Sequence, residues 1–143
     1  MAQVQKSVVS LRIGSEGLIP DEITRLLGAT PTRTQIKGEK IVGQKTGHVR
    51  IAKFGMWRLS ASDRKPEDLD GQIREILSQT TSDLAAWRSI AEKHQIDLFC
   101  GLFLGGSNEG MTLSAQSLAA LGERGIELGL DIYSGHDEDE TST

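Results

Sequence analysis

The chain predicts an α+β fold: a mostly antiparallel sheet with helices packed on one face, on a ferredoxin-like core with insertions. Three observations carry that prediction. Strict apolar–polar alternation, the pattern of a half-buried strand, runs through residues 7–13, 56–61 and 126–133. Apolar residues at helical spacing fill the middle of the chain, first Leu69, Ile73, Ile76 and Leu77, then Leu84, Trp87, Ile90 and Ala91. The order of these stretches, strand–helix units mixed with a hairpin, fits one sheet covered by one helical layer.

At 143 residues, residues 1–136 are expected to form a single domain around one core. Residues 137–143 are expected to be an acidic disordered tail, because they offer no apolar side chain to bury. Asp137, Glu138, Asp139 and Glu140 account for the whole net charge of −4, so the body is balanced. A single cysteine, Cys100, excludes an intrachain disulfide. The longest apolar run, residues 98–104, is too short to span a membrane, and the first residues lack the basic and apolar regions of a signal peptide. A cytoplasmic protein with no membrane partner is expected.

Taken in order, residues 1–6 are polar and expected to be frayed. In residues 7–13, Val9, Leu11 and Ile13 face one way and Val8, Ser10 and Arg12 the other. Pro20 suits the first position of a helix, Asp21 and Glu22 its positive end, and Gly28 its terminus. Residues 29–55 are Gly-rich and irregular, with a hairpin expected from residues 40–44 and 48–54. Residues 56–61 put Trp57 and Leu59 on one face, Arg58 and Ser60 on the other. Two helices follow, over about residues 67–79 and from a Ser82 cap to about His94. Residues 97–104 are apolar on both sides, which suggests a central strand covered on both faces. A short strand at residues 111–113 and a helix capped by Ser114 lead to the last strand. There Ile126, Leu128, Leu130 and Ile132 are expected inward, and Glu127, Gly129, Asp131 and Tyr133 outward.

The frame LRIGSEGLIPDEITRLLGATPT, the Gly38 and Trp57 that follow, and the ending LSAQSLAALGERGIELGLDIY resemble an uncharacterised bacterial family catalogued as domain of unknown function 4279. The resemblance runs from about residue 8 to residue 133. It implies a small stand-alone cytoplasmic bacterial protein with no established activity, and it supplies no catalytic residue to carry over.

The sharper chemical motifs fail on inspection. Residues 38–46 nearly read as a phosphate loop, G-x-x-x-x-G-K-T. However, Gln44 is inserted before the Lys, and neither the preceding strand nor the following helix is present. His48, His94 and His136 have no ligand spacing, so no metal is expected. Cys100 lies in an apolar strand, where a thiolate is disfavoured, and Ser107 is not in a nucleophile elbow. No catalytic residue and no cofactor are expected.

Two features remain. Between residues 33 and 58, Arg33, Lys37, Lys40, Lys45, Arg50, Lys53 and Arg58 stand against Glu39 alone. This segment gives a weaker alternative, contact with a nucleic-acid backbone, which the acidic balance of the whole chain and the scarcity of aromatics disfavour. If the apolar registers face the helices, Arg12, Arg58, Glu127, Asp131 and Tyr133 share the opposite sheet face, joined by Phe99 and Phe103. The leading expectation is a non-enzymatic binding module that forms a homodimer, or meets a protein partner, through that face. The alternative is a small-molecule binder or enzyme with a pocket between the sheet and residues 29–55, lined by Trp57, Arg12, Arg58 and Asp131.

Overall fold

The structure, a computed structural model, describes residues 2–134; the expected acidic tail and His136 lie outside them. In chain order the elements are β1 (Ala2–Gln3), β2 (Lys6–Ser15), α1 (Pro20–Leu27), β3 (Arg33–Gln35), β4 (Lys40–Val42), β5 (Val49–Ile51) and β6 (Gly55–Ser60). They continue with α2 (Leu69–Gln79), α3 (Leu84–Lys93), β7 (Gln95–Phe103), β8 (Glu109–Gly110), α4 (Ala115–Glu123) and β9 (Glu127–Tyr133).

The main sheet has the order β3-β6-β2-β7-β9 around the ten-residue β2. β2 is antiparallel to both β6 and β7, and β3 is antiparallel to β6, whereas β9 is parallel to β7. The fold is α+β, as expected, but the sheet is mixed. β6 and β7 flank β2 and run parallel to each other, so the passage through α2 and α3 is a split βαβ unit. The second crossover, through α4, departs from an alternating antiparallel order because it sets β9 parallel beside β7. The expected hairpin is present as β4 paired with β5.

One core lies between the sheet and the helices. Val9, Leu11, Ile13, Trp57, Leu59, Ile96, Leu98 and Cys100 from the sheet meet Ile23, Leu27, Leu69, Ile73, Ile76, Trp87, Ile90 and Leu121 from all four helices. Both tryptophans are fully buried and have hydrogen-bond partners: Trp57 Nε1 donates to Thr24 Oγ1 at 3.0 Å and Trp87 Nε1 to the Thr81 carbonyl at 2.8 Å. The ends of the helices are specified locally. Gly28 closes α1 at φ 64°, which a residue with a Cβ adopts only with strain, and Asp68, Asp83 and Ser114 cap α2, α3 and α4. The cap of α3 is thus Asp83 rather than Ser82.

A buried polar cluster joins α2 to the sheet. Ser7 Oγ donates to Gln72 Oε1 at 2.6 Å, and Gln72 Nε2 donates to the carbonyls of Ser7 and Ser62 at 2.9 and 3.0 Å. Each polar atom finds a partner, which makes burial of this glutamine tolerable.

Three local expectations are corrected. The first residues are tied down: β1 pairs in parallel with β8, and Val4 is buried beside them. The short strand near residue 111 lies instead at Glu109–Gly110. In β9, Ile126 just before the strand is buried and Leu128 half-buried, but Leu130 and Ile132 are exposed. The nine-residue α4 covers only the start of the strand, and β9 runs on beyond it.

Candidate binding site on the outer sheet face

The registers of four ladders align one residue from each strand of the main sheet. Arg33 of β3 is paired with Arg58 of β6, Arg58 with Arg12 of β2, Arg12 with Asp97 of β7, and Asp97 with Glu127 of β9. The result is a row of three positive and two negative side chains across the whole sheet, on the face opposite the helices. Strands lie about 5 Å apart, so each charge is within reach of its neighbours.

Among the described residues the row is satisfied only at its centre. Arg12 donates from Nε to Asp97 Oδ1 at 2.8 Å and from a terminal nitrogen to Asp97 Oδ2 at 2.6 Å. This two-pronged bond, and the Asp97 charge beside it, hold the Arg12 pKa above its ordinary value against the cost of burial. Arg12 also lies over the Phe99 ring at 4.6 Å. Arg58 is in the opposite situation. Burial first, and then the charges of Arg12 and Arg33, lower its pKa, and its buried Nε has no hydrogen-bond partner among the described residues.

Further residues of this face lie against one another. Phe103 stacks on Tyr133 with centroids 4.6 Å apart, Lys6 lies 5.3 Å from the Phe103 centroid, and Tyr133 donates to Asp131 Oδ2 at 2.6 Å. The expected second cover of β7 is therefore made of side chains, Arg12, Lys6 and Tyr133, rather than another layer. Trp57 is the exception among the site residues. It is wholly buried on the helix side and belongs to the core.

Two clefts open at the ends of the charged row. One, of about 830 Å³, lies between the β4–β5 hairpin and the outer face. It is lined by Arg33, Lys40, Lys45, Arg50 and Arg58, with Glu39 the one acidic group. This is the pocket expected between the sheet and residues 29–55, but it gathers Arg58 without Arg12, Trp57 or Asp131. The other, of about 810 Å³, contains Arg12, Asp97 and Glu127 and reaches the end of α3.

In the second cleft Ser15 Oγ lies 2.6 Å from His94 Nδ1, a pair that sequence reading missed. The residues are 79 apart, and no local signal joins them. Burial and the adjacent Lys93 lower the His94 pKa, which favours the neutral ring. Among the described residues no carboxylate forms an ion pair with His94, so the bond ties the end of α3 to β2 without the third group that orients a catalytic base. Burial, assisted by Asp97, pushes the Cys100 thiol up to about 12, which disfavours the thiolate. No group of three or more potential metal ligands occurs among the described residues, and no helix there is long and apolar enough to cross a membrane.

A small α+β domain with one helical layer and one uncovered, charge-ordered sheet face is the class that fold and site define. The chain belongs to the family described as Domain of unknown function (DUF4279), whose model matches residues 3–135. No curated protein and no solved structure matches it.

Proposed function

We propose that the chain is a non-enzymatic interaction module that self-associates by pairing β9 with β9 of a second copy. The observation that carries this reading is the uncovered edge: Leu130 and Ile132 are 51% and 59% exposed, beside Leu118 of α4 at 51%. β9 contains neither Lys nor Pro, residues that commonly guard an edge. The outer-face residues first expected to meet the partner are largely engaged with one another, which moves the proposed contact from the face to its rim.

Backbone geometry and charge together favour one register. The Tyr133 carbonyl accepts from Leu104 N, toward β7. Strand alternation then turns the backbone groups of Leu128, Leu130 and Ile132 to the open edge. An antiparallel two-fold pair centred on Leu130 sets Leu128 of each copy against Ile132 of the other. It also sets Glu127 against Tyr133 and Asp131 against Gly129. Centring on Asp131 would oppose that carboxylate to itself, and centring on Gly129 would oppose Glu127 to Asp131; both cost stability. The favoured register makes a continuous apolar row on the helix side and extends the sheet through both copies.

Sedimentation at tens of micromolar tests the proposal. The expected result is a dimer for the unaltered chain and a monomer for Ile132→Lys with unchanged helix and strand content. A strict monomer at high micromolar concentration, or a dimer indifferent to Ile132→Lys and Leu130→Asp, would sink it.

A further inference from the structure

We infer that the cleft between the β4–β5 hairpin and the outer sheet face is a binding site for a small phosphate-bearing molecule. Three observations converge. The cleft is cationic to an unusual degree, with Arg33, Lys40, Lys45, Arg50 and Arg58 against Glu39 alone. None of the five cations forms an ion pair with a carboxylate of the described residues. Arg33 and Arg58 stand directly opposite each other on neighbouring strands, an arrangement of like charges that destabilises a sheet.

The chemistry of Arg58 sharpens the assignment. Its neighbour Arg12 is neutralised by Asp97, yet Arg58 is desolvated between Arg12 and Arg33 with its Nε lacking a partner. Arg58 also lines the cleft, and a phosphate oxygen is a natural complement of a guanidinium without an acceptor, because its planar fork matches phosphate geometry. Ile41, Val42 and Met56 supply an apolar side to the same cleft, whose 830 Å³ suits a metabolite-sized molecule with a phosphate and an organic part. No aromatic side chain lines it for base stacking, which disfavours a nucleic-acid strand. Nor is it a nucleotide-hydrolase phosphate loop. Residues 43–47 form the turn between β4 and β5, with Gly47 at φ 69°, and β5 rather than a helix follows.

Calorimetric titration with pyrophosphate at constant ionic strength tests the site, with inorganic phosphate and a short single-stranded DNA as companions. Saturable pyrophosphate binding is expected, weakened about tenfold or more by Arg58→Met and by the exposed Arg33→Gln, and unchanged by Lys6→Gln at the far end of the face. Thermal melting of the ligand-free protein adds a second readout. Arg58→Met should melt no lower than the unaltered chain, and should lose the rise in melting temperature that pyrophosphate causes. No saturable heat up to about 10 mM pyrophosphate would overturn the inference. Equal binding by both arginine variants, or DNA binding that pyrophosphate does not displace, would overturn it as well. The Ile132→Lys monomer should bind pyrophosphate unchanged, so this site and the β9 contact stand or fall separately.

Discussion

Two neighbouring residues of β2 lead in opposite directions across the same sheet. From Leu11, the ladder runs to Leu59 on one side and to Leu98 and Leu128 on the other, a row of four leucines under the helices. From Arg12, one residue on, it runs to Arg58 and Arg33 on one side and to Asp97 and Glu127 on the other. The leucine row is held by non-directional burial, in which each member is interchangeable in kind. The charged row is directional: Arg12 has its partner and Arg58 does not. A slip of one residue in any strand would exchange the rows, so the contrast between them fixes the register. The inner row thus supplies stability, and the outer row is where charge is left unmatched among the described residues.

The largest effect is expected on the inner row. Leu11 is fully buried at the centre of the core. Leu11→Ala should cost about 3 kcal/mol, within the range for cavity-forming core truncations, read as a fall in the urea midpoint at unchanged slope. A cost below that of a surface substitution would mean that the inner row is not the seat of stability.

A smaller effect is expected where a polar group serves the helical layer. Asp70 of α2 accepts from Ser114 N at 3.1 Å and from Ser117 Oγ at 2.7 Å, which joins the starts of α2 and α4. Burial raises its pKa, but the bonds from Ser117 and Ser114, aided by Arg74, outweigh it and leave the carboxyl below the usual value. A depressed folded-state pKa means that the stabilisation is complete above the unfolded value, near 4, and is lost as pH falls through the lower folded value. Asp70→Asn should therefore cost about 1 kcal/mol at pH 7, with the gap from the unaltered chain closing below about pH 4. A gap independent of pH would assign the loss to packing instead.

These contrasts mark what the sequence could reveal. Alternation within a strand is local, so the sides of Leu11, Arg12, Arg58 and Trp57 were all legible from neighbours two residues away. Trp57 was nonetheless misassigned to the site, although its own parity with Leu59 placed it inward. The charged row was not legible as a row, because it depends on four registers between residues as far apart as Arg33 and Glu127. The same holds for Ser15 and His94, and for β1, whose pairing with β8 no local pattern announces. The exposure of Leu130 and Ile132 was hidden for another reason. Alternation tells which side a residue faces, whereas cover depends on how far α4 reaches, and its nine residues rise only about 13 Å along a seven-residue strand of about 23 Å.

The smallest effect, and the finest test of the contrast, concerns the outer row itself. Arg12 and Asp97 are each about one-third exposed at 34% and 33%, so solvent screens their bond despite its two-pronged geometry. Asp97→Asn should cost below about 1 kcal/mol in moderate salt. A double-mutant cycle with Arg12→Gln isolates the pair from the lost packing of Arg12 on Phe99. The coupling should shrink as salt rises, because the attraction is screened. The sign of a second term separates a row from a mere pair. Removing the Asp97 charge leaves Arg12, Arg58 and Arg33 as three adjacent cations, so Arg58→Met should be less destabilising, or more stabilising, in the Asp97→Asn background than in the unaltered chain. Were Arg58→Met to act identically in both backgrounds, Arg12–Asp97 would be an isolated surface bond. If the effects couple, charge on β7 is felt on β6, two strands away, which is what a row of charges across the sheet requires.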